Sequence, residues 1–111
     1  MGKAKQEANK RGSSAQGIKS KAGERKGTIL LTMSRPNYVN IPPGHRAPLE
    51  ACYRDFVRME TQAKACADDN SKPLPDDAKS VADVSAKMKE AKKHMGLVTR
   101  LLAVLDKSPA S

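Results

Sequence analysis

PLEACYRDFVRMETQAKAC, residues 48–66, carries both cysteines, the single phenylalanine and one of the two tyrosines of the chain. Its apolar residues Leu49, Cys52, Phe56, Met59, Ala63 and Cys66 follow one another at steps of three and four, the seam of an amphipathic helix. Pro48 suits the first turn of that helix, where its missing N–H is not needed. Glu50 to Arg54 and Glu60 to Lys64 lie off the seam at i,i+4, the favourable order for ion pairs.

A second seam follows. Val81, Val84, Met88, Ala91, Met95, Val98, Leu102 and Leu105 repeat the same steps over nearly four heptads, with acids near the start and Lys/Arg toward the end, as a helix dipole prefers. DDNSKPLPDD, 68–77, separates the two with prolines and acids, and Asp76 or Asp77 is placed to cap the second helix. Two seams joined by a loop of about ten residues predict an all-α fold, an antiparallel helical hairpin over 48–107 with a tail at 108–111. Cys52 and Cys66, 14 residues apart on one helix, sit about 21 Å from each other and cannot form a disulfide. The second seam outruns the first, which predicts that Val98, Leu101, Leu102 and Leu105 remain partly uncovered and available to a partner.

Upstream the character changes. SRPNYVNIPPGHRAP, 34–48, holds Pro36, Pro42, Pro43 and Pro48, each turning its predecessor away from helix, and reads as an extended strap. GTILLTM, 27–33, is a β-branched and aliphatic run that predicts at most one short strand; the strap with this possible strand spans 28–47. Residues 1–27 contain eight Lys/Arg and two Glu, so this segment holds +6 of the net charge of +9. Ile18 is its one branched aliphatic residue, which predicts a disordered or extended basic arm. Lys3, Lys5, Lys10 and Arg11, with Lys19, Lys21, Arg25 and Lys26, are the candidate polyanion contacts, spaced by small residues that let a phosphate backbone approach. With no aromatic between them, base stacking is not expected.

Several classes are disfavoured. No apolar run approaches the roughly 20 residues of a membrane helix, and the N-terminus has no hydrophobic signal core. His45 and His94 stand at no ligand-like distance from the cysteines, so no metal is expected. No Gly-rich phosphate loop or nucleophile–base pair is recognisable; the chain reads as a non-enzyme without a cofactor.

CYRDFVR, 52–58, resembles the signature of the LYR-motif family through Tyr53, Arg54, Val57 and Arg58, with Cys52 where the family has leucine. AKKHMGLVTR, 91–100, is similar to a pattern in the last helix of some members through Ala91, Lys92, Gly96 and Arg100. The resemblance implies a small basic mitochondrial protein of three helices, an accessory subunit or assembly factor of respiratory complexes, iron–sulfur biogenesis or mitochondrial ribosomes. It also implies acyl carrier protein as a partner and Tyr53, Arg54 and Arg58 as the docking face. The chain departs from the family in having two long seams rather than three helices and a long N-terminal extension.

Together these features lead to a non-catalytic accessory subunit of a large assembly, with a mitochondrial ribosome or respiratory complex as first choice. Protein subunits are the expected partners, with ribosomal RNA possible through the arm. The alternatives are a free-standing nucleic-acid-binding adaptor, in the cytoplasm if not imported, and a structural protein of a cytoskeletal lattice.

Overall fold

The computed structural model describes the backbone of residues 2–107 and the side chains of residues 14–107. Three helices follow in order: α1, Gly2–Met33; α2, Pro43–Asp68; and α3, Val81–Lys107, with a short 3₁₀ helix, Pro36–Asn40, between the first two. The fold is all-α, and no strand forms among the described residues. α2 and α3 run antiparallel, since Pro48 and His94 flank one end of the groove between them. α1 runs antiparallel to α2 and parallel to α3: Lys26 meets Glu60, and Arg35 meets Asp106. The result is a slender rod, 70 × 20 × 18 Å, with a Cα radius of gyration of 17.3 Å.

Both expected seams form the core. Leu49, Phe56, Met59, Ala63 and Cys66 of α2 are buried, as are Val84, Ala91, Val98 and Leu102 of α3. Cys52, Met88, Met95, Leu101 and Leu105 pack partly buried against them.

α1 corrects three expectations. The arm expected to be disordered or extended over 1–27 and the possible strand in 27–33 fall, from Gly2 on, in one continuous helix, so the hairpin gains a third member. Ala15, Ile18, Ala22 and Ile29 are fully buried, and Met33 packs at the end of the row. This is a stripe on one helix face, at steps of three, four and seven. It is narrow and half alanine, too sparse to stand alone but sufficient against two ready-made seams. Small residues also let α1 approach closely: a Cβ at Gly17 would lie 2.6 Å from Val81 Cγ2, and one at Gly23 would meet the Glu60 carboxylate, which would have to turn aside. The threonines of the supposed strand are accommodated by bonding back along the helix, Thr28 Oγ1 to Glu24 O at 3.1 Å and Thr32 Oγ1 to Thr28 O at 3.3 Å. The expected contacts Lys3, Lys5, Lys10 and Arg11 have side chains outside the described residues, and the tail at 108–111 lies outside them altogether.

The strap shrinks to residues 34–42. Tyr38 and Ile41 are buried in it, Tyr38 Oη donates to Glu50 Oε2 at 2.7 Å, and Arg46 Nε donates to Ile41 O at 2.8 Å. Glu50 therefore serves Tyr38, and Glu60 serves Lys26, where i,i+4 pairs with Arg54 and Lys64 were expected. α2 begins at Pro43 instead of Pro48. The prolyl ring at Pro48 leaves only the carbonyl of exposed Gly44 without its helical donor, which solvent can supply. α3 begins after Ser80, not after Asp76 or Asp77: Ser80 Oγ accepts from Asp83 N at 3.2 Å, and Asp83 Oδ2 accepts from Lys79 N at 3.0 Å.

Candidate functional site

α3 settles where the expected apolar docking strip lies. Val98 and Leu102 are fully buried, and Leu101 and Leu105 pack against the core. The strip expected to be partly uncovered is thus closed at Val98 and Leu102 and partly buried at Leu101 and Leu105, because α1 and the 3₁₀ helix both pack on α3. A hairpin of two helices alone would have left all four residues less covered.

The exposed large hydrophobic residues lie elsewhere. Leu30 and Leu31 end α1, Val39 sits in the 3₁₀ helix, and Leu97 and Val104 belong to the last turns of α3. Leu31 and Val39 are 74% and 73% exposed, and Val104 is 61% exposed. Single exposed aliphatics are ordinary. These five, however, all fall toward the end of the rod that holds the last turns of α1, the 3₁₀ helix and the second half of α3, and none lies toward the other end among the described side chains. The end is held in shape by Asp106, which takes hydrogen bonds from Arg35 and, at 2.6 Å, from Asn37 Nδ2. These bonds, that of Asn37 first, keep the Asp106 carboxyl below the usual aspartate range. No periodicity in the strap announced this clasp.

Tyr53, Arg54 and Arg58 come from the fourth and fifth turns of α2, not from its start. Tyr53 is half-buried against the core, and Arg54 is exposed. Arg58 is engaged within the fold: its Nη1 and Nη2 donate to the two carboxylate oxygens of Asp77 at 2.9 and 2.6 Å, with Asp55 3.6 Å away. The bidentate bond from Arg58 lowers the Asp77 pKa, and Lys87 adds a smaller pull from 3.8 Å. Of the docking face expected of Tyr53, Arg54 and Arg58, one of the two cations is therefore committed to pinning the 69–80 connection onto α2.

Cys52 borders a shallow groove of about 330 Å³ between α2 and α3, floored by Phe56 and Met59 and rimmed by Asp55, Lys87, Glu90 and His94. Burial, then the charges of Glu90 and Asp55, raise its thiol pKa, which works against nucleophilic use. Cys66 is buried, and both thiols are free. No group of three or more His, Cys, Asp or Glu residues that could hold a metal occurs among the described residues. No helix among them is long and apolar enough to cross a membrane.

Of the polyanion candidates with described side chains, Lys26 is bonded to Glu60 at 2.5 Å, and Arg25 lies partly buried between α1 and α3. Lys19 and Lys21 flank the buried stripe and are half-exposed. No family model, curated protein or solved structure matches the chain.

Proposed function

We propose that the protein is a non-catalytic accessory subunit of a large macromolecular assembly, seated by the apolar end of the rod and by its positive charge. The clustering of Leu30, Leu31, Val39, Leu97 and Val104 around one end carries this reading, because apolar surface gathered in one place marks a protein contact more often than a solvated surface. A net charge of +9 on so narrow a body favours association with an anionic particle over a free existence. A mitochondrial ribosome or respiratory complex remains the first choice, with location in that organelle part of the same proposal.

Acyl carrier protein is the partner nominated by the LYR-motif resemblance. Arg54 is the exposed cation of that motif, and Arg58 would have to leave Asp77 to join it. Gradient sedimentation of cell extracts carrying the tagged chain tests the assembly reading. The chain should travel with a particle of identifiable composition, and Leu31→Asp with Val39→Asp should return it to the slow fractions. A wild-type chain found only in the slow fractions would defeat the proposal.

A further inference from the structure

The flank where α1 meets α3, on the opposite side of α3 from the Cys52 groove, carries a series of cations interspersed with Met88, Met95 and Leu97. Two adjoining concavities line it and share Arg25 and Lys92: one, with Ser85, Met88 and Lys89, lies toward the start of α3, and the other, of about 850 Å³, surrounds Gly96. Their charged residues are Arg25, Lys89, Lys92, Lys93 and Arg100, with no carboxylate among the lining side chains. From Lys89 to Arg100 these cations cover about 17 Å of α3.

Two details separate this flank from an ordinary solvated basic surface. Gly96 opens it: a Cβ there would meet nothing within 4 Å, so a ligand can approach the helix backbone between Lys92, Lys93 and Arg100. Arg25 is also incompletely satisfied. Its Nε is buried without a hydrogen-bond partner, and its Nη1 reaches only the thioether of Met95, at 3.7 Å. Sulfur is a weak acceptor, and a buried guanidinium donor calls for an oxygen. Arg35, Arg58 and Lys26 show the contrast, since each of them faces a carboxylate.

We infer that this flank binds the phosphodiester backbone of a nucleic acid. The cations succeed one another along the groove rather than converging on a point, which suits a chain of phosphates better than one small anion. There is no aromatic side chain in the groove, so recognition is of backbone and not of base. Arg25 fixes one wall, and Lys92, Lys93 and Arg100 supply mobile donors on the other. This deepens the accessory-subunit reading, on which it rests, by naming the surface that would meet RNA within an assembly.

The test uses the full chain, a fluorescently labelled RNA duplex and a DNA duplex of the same sequence, with anisotropy read over a range of salt. Polyglutamate and anionic vesicles serve as competitors. Both duplexes should bind, and Lys92→Glu with Arg100→Glu should weaken binding at least about tenfold and lower the salt slope by about two. Lys64→Glu with Lys79→Glu changes net charge equally on other surfaces and should leave affinity within about threefold. Gly96→Leu keeps every charge but fills the concavity; it should weaken binding while the melting temperature holds or rises. Equal losses in the two double variants would show a whole-molecule charge effect and overturn the inference. So would displacement by polyglutamate or vesicles at the same charge concentration as by unlabelled duplex. A chain with no duplex affinity that still sediments with its particle would defeat the groove alone and leave the accessory-subunit reading standing.

Discussion

Replacing Ile18 by alanine tests whether α1 belongs to the folded body. Ile18 is 0% exposed and is the largest side chain in the N-terminal half of the α1 stripe. Truncating a fully buried isoleucine costs about 2–5 kcal/mol. Alanine returns a few tenths of a kcal/mol in helix propensity, so a net loss of roughly 2–4 kcal/mol is expected. A domain of this size has a total stability of roughly 5–15 kcal/mol, and about 4 °C of melting temperature accompanies each kcal/mol. The transition should therefore fall by roughly 8–16 °C. Far-UV circular dichroism during heating and urea unfolding measures it, with Leu31→Ala as control; that residue, 74% exposed on the same helix, should shift stability by no more than about 0.5 kcal/mol. If Ile18→Ala and Leu31→Ala were indistinguishable, α1 would not be packed on the other helices in solution.

Alanine at two glycines of α1 should act in opposite directions. Gly27→Ala meets nothing and should gain about 1 kcal/mol of helix propensity, whereas Gly17→Ala forces a methyl against Val81 and should lose roughly 1 kcal/mol or more, both read by urea denaturation. Arg58 lowers the Asp77 pKa below its unfolded value, so the pair contributes stability above that value that disappears as pH falls through the depressed folded one; Arg58→Gln should cost about 1 kcal/mol at neutral pH and flatten the acid side of a melting temperature–pH profile. A profile unchanged by Arg58→Gln would show that the pair is idle. Tyr38→Phe removes the bond to Glu50 and should lower stability by about 1 kcal/mol in the same assay. In thiol titration of the native protein, Cys52 should react slowly and Cys66 only after denaturant is added, since one thiol is raised in pKa and the other is buried.

The seams of α2 and α3 were legible because valine, leucine, methionine and phenylalanine recur there at helical steps, and burial followed the period almost residue by residue. α1 was hidden because alanine and glycine carry little hydrophobic signal, although they permit the closest helix contact; the stripe of Ala15, Ile18, Ala22 and Ile29 becomes visible only once alanine counts as apolar. The β-branched run at 28–32 illustrates a local preference overruled by packing, with Ile29 drawing its neighbours into helix. Ser80 followed by Asp83 was a readable start signal, outweighed in the sequence by the more conspicuous acids at 76 and 77. Of the candidate site, the cations of α1 and the motif around Arg58 could be listed from sequence. The partners that restrain Arg58, and the alignment of Arg25 with Lys92 and Arg100, depend on the register between helices, which no short pattern encodes.

A rod 70 Å long and about 20 Å across has a radius of gyration of 17.3 Å, where a compact chain of this length would have about 13 Å. Such a body spins quickly about its long axis and turns end over end slowly. Amide bonds in α1, α2 and α3 point nearly along that axis and are governed by the slow motion, whereas any amide of the 34–42 and 69–80 connections that lies across it also senses the fast one. Transverse ¹⁵N relaxation should therefore divide the backbone by direction, the helices decaying faster as a group than equally rigid amides that lie across the axis.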